Sequence, residues 1–105
     1  MREISASELA AWLAQPDAPV VLDVREPWEV AIASLPGSIH IPMREIPARF
    51  GELPASRPVV CLCHHGMRSA QVGLFLERQQ VAAVCNLTGG IDAWSRTVDP
   101  AVPTY

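Results

Sequence analysis

A chain of 105 residues, half of them apolar, is long enough to bury one hydrophobic core and too short for two, so a single domain over residues 1–105 is expected. Its formal net charge is −3 and its basic residues are scattered, which leaves out the electrostatic footprint of a nucleic-acid binder. All eight of those residues are arginines, so chemistry that needs an amine side chain, from Schiff bases to a phosphate-loop lysine, is excluded.

No apolar run approaches the roughly 18 residues of a membrane span. Met1-Arg2-Glu3-Ile4 does not open a basic-then-apolar signal peptide, and three cysteines, an odd number, do not make a disulfide framework. The expectation is a soluble, cytoplasmic protein with free thiols.

Along the chain, Ser5-Ala6-Ser7-Glu8 matches a capping box, and Leu9, Trp12 and Leu13 give the following helix one apolar face before Pro16 and Pro19 end it. The run from Val20 to Val24 is apolar except for Asp23, which suits a buried parallel strand. Pro27 opens a short helix, Leu35-Pro36-Gly37-Ser38 turns the chain, and Ile39-His40-Ile41 reads as a short strand. A small helix follows around Arg44 to Phe50, then Pro58-Val59-Val60-Cys61-Leu62 forms another buried strand.

A helix from Ser69 to Gln80 is expected, because Val72, Phe75 and Leu76 stand at i, i+3 and i+4. Val84-Cys85-Asn86-Leu87 is a last strand, Gly89-Gly90 a tight turn, and Ile91, Trp94 and Val98 one face of a closing helix. Trp12, Trp28 and Trp94 are expected in the core, with Cys61 and Cys85 packed within strands. Strands alternating with helices imply an α/β fold in which a parallel sheet is covered on both faces and functional loops lie at the strands' C-terminal ends.

Cys63 occupies such a loop, between an apolar strand and a helix. The start of a helix offers unpaired N–H groups and the positive end of the macrodipole, which lower a thiol's pKa and hold an anion without a metal. Gly66 lets the backbone turn its N–H groups inward, and His64, His65 and Arg68 supply cationic groups to the same loop. Cys63 is therefore the candidate nucleophile and Arg68 a candidate anion ligand. The two histidines read as loop residues that tune charge rather than as general bases. Asp23 and Arg25 are expected to form a buried pair that supports the loops.

Two other chemistries could use these residues. Cys61-x-Cys63-His64-His65 does not have the spacing of a zinc site, so no metal is expected. A cysteine phosphatase or arsenate reductase would also cradle an anion before a helix. The phosphatase signature places five residues between cysteine and arginine, whereas Cys63 and Arg68 enclose four, a smaller cradle suited to one sulfur atom.

Four motifs in order now carry a resemblance. Asp23-Val24-Arg25-Glu26-Pro27-Trp28-Glu29, the turn from Leu35 to Pro42, the loop from Cys63 to Arg68 and the run from Asn86 to Trp94 together resemble a single-domain rhodanese, over nearly the whole chain. The resemblance implies a three-layer rhodanese-like domain with a five-stranded parallel sheet flanked by helices on both faces. It implies a sulfurtransferase in which Cys63 takes sulfane sulfur from thiosulfate or a similar donor as a persulfide and yields it to cyanide, a thiol or a protein acceptor. In that scheme His64, His65, Gly66, Met67, Arg68 and Ser69 form the substrate cradle, Arg68 orients the donor's sulfonate, and no cofactor, membrane or nucleic acid takes part. The alternative from the same resemblance is a sulfur carrier or partner-docking module with little small-molecule turnover.

Overall fold

The computed structural model describes residues 1–81 and 83–105, and it begins with a strand that periodicity does not predict. Strand β1, Arg2–Ile4, is three residues long with only Ile4 buried, too short for an alternating pattern to be visible. It exists because β5 offers it a partner, with Arg2, Glu3 and Ile4 set against Cys85, Asn86 and Leu87. Helix α1, Ala6–Leu13, starts at the capping box, where the Glu8 N–H donates to Ser5 Oγ at 3.1 Å and the Ser5 N–H to Glu8 Oε1 at 2.9 Å.

The remaining elements are β2, Val20–Asp23; α2, Pro27–Ile32; β3, Ile39–His40; α3, Ile46–Arg49; β4, Val59–Leu62; α4, Met67–Arg78; β5, Val84–Leu87; and α5, Gly90–Thr97. Every strand pairing is parallel, in the order β1-β5-β4-β2-β3, so β4 runs near the centre and carries the Cys63 loop at its C-terminal end. β2, β4 and β5 are buried throughout, which is why they read as nearly continuous apolar runs.

Alternate residues of those strands feed two cores. Val21, Val60, Leu62, Cys85 and Leu87 pack with Leu9, Ile91 and Trp94 of α1 and α5. Leu22, Val59, Cys61 and Val84 pack on the other face with Ile46 of α3 and Val72 and Leu76 of α4. Each fully buried aliphatic side chain contributes on the order of 2 kcal/mol relative to exposure. Among the described residues no helix is long and apolar enough to cross a membrane.

Three expectations are corrected. Helix α4 begins two residues earlier than the apolar spacing indicates, because Gly66 caps it with φ 105° and Met67 is already helical. It ends at Arg78, and Gln80 then takes φ 62°, outside helical geometry. The small helix near residue 44 is instead a 3-10 turn, Met43–Glu45, the four-residue α3 and a second 3-10 turn, Phe50–Glu52. Trp28 is not in the core but 62% exposed, because α2 turns Glu29 inward instead. Trp94 is buried and Trp12 half-buried.

Candidate active site

Cys63 follows the last residue of β4 and is 1% exposed. Its Sγ accepts from the Gly66 N–H at 3.0 Å and lies 3.3 Å from Ser69 Oγ. Gly66 has a reason to be glycine beyond its φ of 105°. A Cβ there would press on the Leu87 carbonyl oxygen at 3.2 Å and the Gly89 nitrogen at 3.3 Å.

Helix α4 has no side-chain cap, so its first N–H groups are left for the sulfur. Burial alone pushes the thiol upward. The Ser69 hydroxyl, with the N–H groups of Ser69, Gly66 and His65, outweighs it and holds Cys63 below the ordinary cysteine pKa. Cys61, one turn of the pleat earlier, has burial without those donors and is pushed up to about 12. Cys85 is also raised by burial, so of the three cysteines Cys63 alone is held below the ordinary value.

An open pocket of about 290 Å³ in front of the sulfur is lined by Cys63, His64, His65, Met67 and Arg68. Met67 is exposed at its rim, while Gly66 and Ser69 lie buried behind the sulfur. His64 stacks on His65 at 3.9 Å between ring centroids and on Tyr105 at 4.0 Å with a 6° tilt. Burial first, and then the His65 charge, lowers the pKa of His64, which favours the neutral ring. Its Nε2 is buried without a hydrogen-bond partner among the described residues.

Arg68 reaches the pocket, and both ends of its guanidinium are engaged by Glu29, at 2.6 and 2.8 Å. The Arg68 guanidinium, together with the Tyr105 hydroxyl and the Glu26 N–H, draws the buried Glu29 carboxyl down to about 2. Beneath this pair lies a second. Arg25 and Asp23 are both fully buried and joined in a fork, Nε to Oδ1 at 2.9 Å and Nη2 to Oδ2 at 2.6 Å. The remaining Arg25 donors reach the Ala33 carbonyl at 2.7 Å, the Glu29 carbonyl at 3.4 Å and the Tyr105 hydroxyl at 2.9 Å.

Behind the sulfur, Ser69 Oγ donates to Asn86 Oδ1 at 2.5 Å. The orientation of the Asn86 amide follows from its surroundings, since its Nδ2 faces only acceptors, the Glu3 carboxylate at 3.0 Å and the Gly66 carbonyl at 3.0 Å. Helix α5 also braces the loop: the Ile91 N–H donates to the Cys63 carbonyl at 2.9 Å and the Asp92 N–H to that of His64 at 3.1 Å.

Glu29, Asn86, Glu3 and Tyr105 are absent from the sequence-derived site. Asn86 carries a signal in the sequence, a polar residue inside a buried apolar strand. Tyr105 carries none, being 76 residues from the Glu29 it touches. His64, His65 and Asp92 each bring one potential metal ligand within 4.8 Å of the others. The two imidazoles are stacked on each other with a 29° tilt, and Asp92 is paired with Arg96 at 2.9 Å.

The sequence and the fold both have known relatives. The rhodanese-like domain model matches residues 5–97. A sulfurtransferase of Allochromatium vinosum is 38% identical over 102 residues, 97% of this chain and 95% of that protein. The structure of a rhodanese-like domain protein from Staphylococcus aureus superposes with TM-score 0.86 at 28% identity, over 100% of this chain and 99% of that one. A rhodanese-related protein from Thermoplasma volcanium gives TM-score 0.83 at 33% identity, over 98% and 96%.

Proposed function

The chain belongs to the rhodanese-like domain family, and on that premise we propose that it is a sulfurtransferase that carries sulfane sulfur on Cys63. The observation that carries this reading is the single activated thiol. Cys63 Sγ sits at the N-terminus of α4 with the Gly66 N–H 3.0 Å away and a pKa below the cysteine norm, in a chain whose other two thiols are buried and raised.

The transfer is a double displacement. The Cys63 thiolate attacks the outer sulfur of thiosulfate or a similar donor, a new Sγ–S bond forms, and the donor's S–S bond breaks with sulfite or a thiolate leaving on the electron pair. The persulfide anion then lies where the α4 N–H groups and the Ser69 hydroxyl stabilise it. Cyanide or an acceptor thiolate attacks the outer sulfur in turn, and the Sγ–S electron pair returns to Cys63. No resident cofactor enters either step.

The test is direct. Incubation with thiosulfate is expected to add one sulfur atom to the intact protein, and cyanide to remove it as thiocyanate. Cys63→Ser should abolish both. Full thiocyanate production by Cys63→Ser would sink the assignment, and loading without release to cyanide would favour a sulfur carrier that discharges only to a protein partner.

A further inference from the structure

All the permanent side-chain cations of this protein are arginines, and among the described residues only Arg25 and Arg68 belong to the network at the Cys63 pocket. Neither is available as a free positive charge. Arg25 is buried against Asp23. Arg68 is clamped end-on by Glu29, whose carboxylate is itself fixed by four hydrogen bonds: two from Arg68, one from the Tyr105 hydroxyl at 2.7 Å and one from the Glu26 N–H at 3.0 Å.

The side chain of Glu29 is 4% exposed, so withdrawing Arg68 toward a ligand would strand a buried carboxylate. The Arg68 guanidinium draws the Glu29 carboxyl down to about 2, so the pair stays ionised at any ordinary working pH. Asp92, near the two histidines, is paired with Arg96 at 2.9 Å, and burial favours the neutral ring of His64. The partial positive charge of the α4 N-terminus faces Cys63 itself.

Thiosulfate approaches such a pocket as a dianion whose sulfonate oxygens need a cation or several donors. A hydropersulfide, R–S–SH, presents its transferable sulfur with no second anionic group beside it. Resting on the sulfurtransferase reading above, we infer that Glu29 cancels the charge of Arg68 and so selects hydropersulfides over thiosulfate as sulfur donors. Glu29 acts through Arg68 and is a positioning residue. The hydroxyl that helps pin it comes from Tyr105, outside the 5–97 segment matched by the family model, so this part of the clamp belongs to the chain's own tail.

The loading step balances. The Cys63 thiolate attacks the terminal sulfur of R–S–SH, the Sγ–S bond forms as the donor's S–S bond breaks, and R–S⁻ leaves with the electron pair. The proton stays on the transferred sulfur, giving Cys63–S–SH.

The experiment compares second-order rates of Cys63 loading, followed by intact mass on the full chain, with thiosulfate and with the hydropersulfide of N-acetylcysteamine, which carries no other ionisable group. Comparing variants cancels the donors' intrinsic reactivities. Glu29→Gln is expected to raise the thiosulfate-to-persulfide rate ratio about tenfold or more, since it unmasks a cation in a partly buried site. It should also make thiosulfate loading fall steeply between about 20 and about 200 mM salt, where the wild type changes less than about twofold. Tyr105→Phe loosens the clamp without changing its charge and should move the ratio the same way, about two- to threefold, which keeps the test readable if Glu29→Gln folds poorly.

A ratio unmoved in both variants, or a steep salt dependence already present in the wild type, overturns the inference while leaving sulfur transfer intact. Absence of added sulfur in the wild type with both donors overturns the sulfurtransferase reading and the inference together.

Discussion

The Ser69 hydroxyl has one proton and two acceptors, Asn86 Oδ1 at 2.5 Å and Cys63 Sγ at 3.3 Å. Glu3 and the Gly66 carbonyl fix the Asn86 amide, so Asn86 competes with the thiolate for that proton. This competition sets two predictions of opposite sign. Ser69→Ala removes a donor that lowers the Cys63 pKa, so the titration moves up toward 9.0 and iodoacetamide alkylation at neutral pH slows, by roughly tenfold for the loss of a hydrogen bond to a charged group. Asn86→Ala leaves the proton to the sulfur alone and should move the same titration down. Alkylation against pH reads both, because Cys61 and Cys85 are buried and raised. Shifts of the same sign in the two variants would refute the shared-proton account.

At the scale of elements, the Cys63 loop is held between two helix starts, α4 in front and α5 behind. Gly90 opens α5 at φ 61°, and a Cβ on it would run into the carbonyls of Cys63 and His64, the same oxygens that accept from Ile91 and Asp92. Gly90→Ala is therefore expected to destabilise the fold by about 2 kcal/mol or more and to reduce sulfur loading of the protein that remains folded. Unchanged loading and an unchanged urea midpoint would show that the loop does not lean on α5. In the sequence Gly89-Gly90 reads as a tight turn, and periodicity, which describes one element at a time, carries no sign of this contact. Strands β2, β4 and β5 are legible, because burial on both faces leaves an apolar run. Strand β1 is not, since its three residues become a strand only through pairing with β5. Likewise Cys63 and its loop were legible because sulfur, glycine and helix start are neighbours in sequence, whereas Glu29, Asn86 and Tyr105 arrive from distant segments.

For the whole molecule, the strand order and the returning tail bring residues 3, 25, 29, 86 and 105 around one loop, and the Glu29–Arg68 pair ties α2 to α4 across it. That pair has a consequence for acid stability. Glu29 titrates near its ordinary 4.5 in the unfolded chain and at about 2 when folded, with the Arg68 guanidinium as the main cause. A depressed folded pKa means that the unfolded state binds the proton first. The stabilisation is thus complete above pH 4.5 and is lost as the pH falls from there through about 2, below which both states are protonated. At neutral pH it amounts to about 2 to 3 kcal/mol, the lower figure allowing for solvent screening of Arg68, whose side chain is 36% exposed. Urea midpoints measured from neutral pH down to about pH 2 should therefore fall more steeply for the wild type than for Glu29→Gln, the curves converging at the acid end. Two curves that stay parallel across that window would mean that the Arg68 clamp does not hold Glu29 ionised, and the charge cancellation at the Cys63 pocket would lose its physical basis.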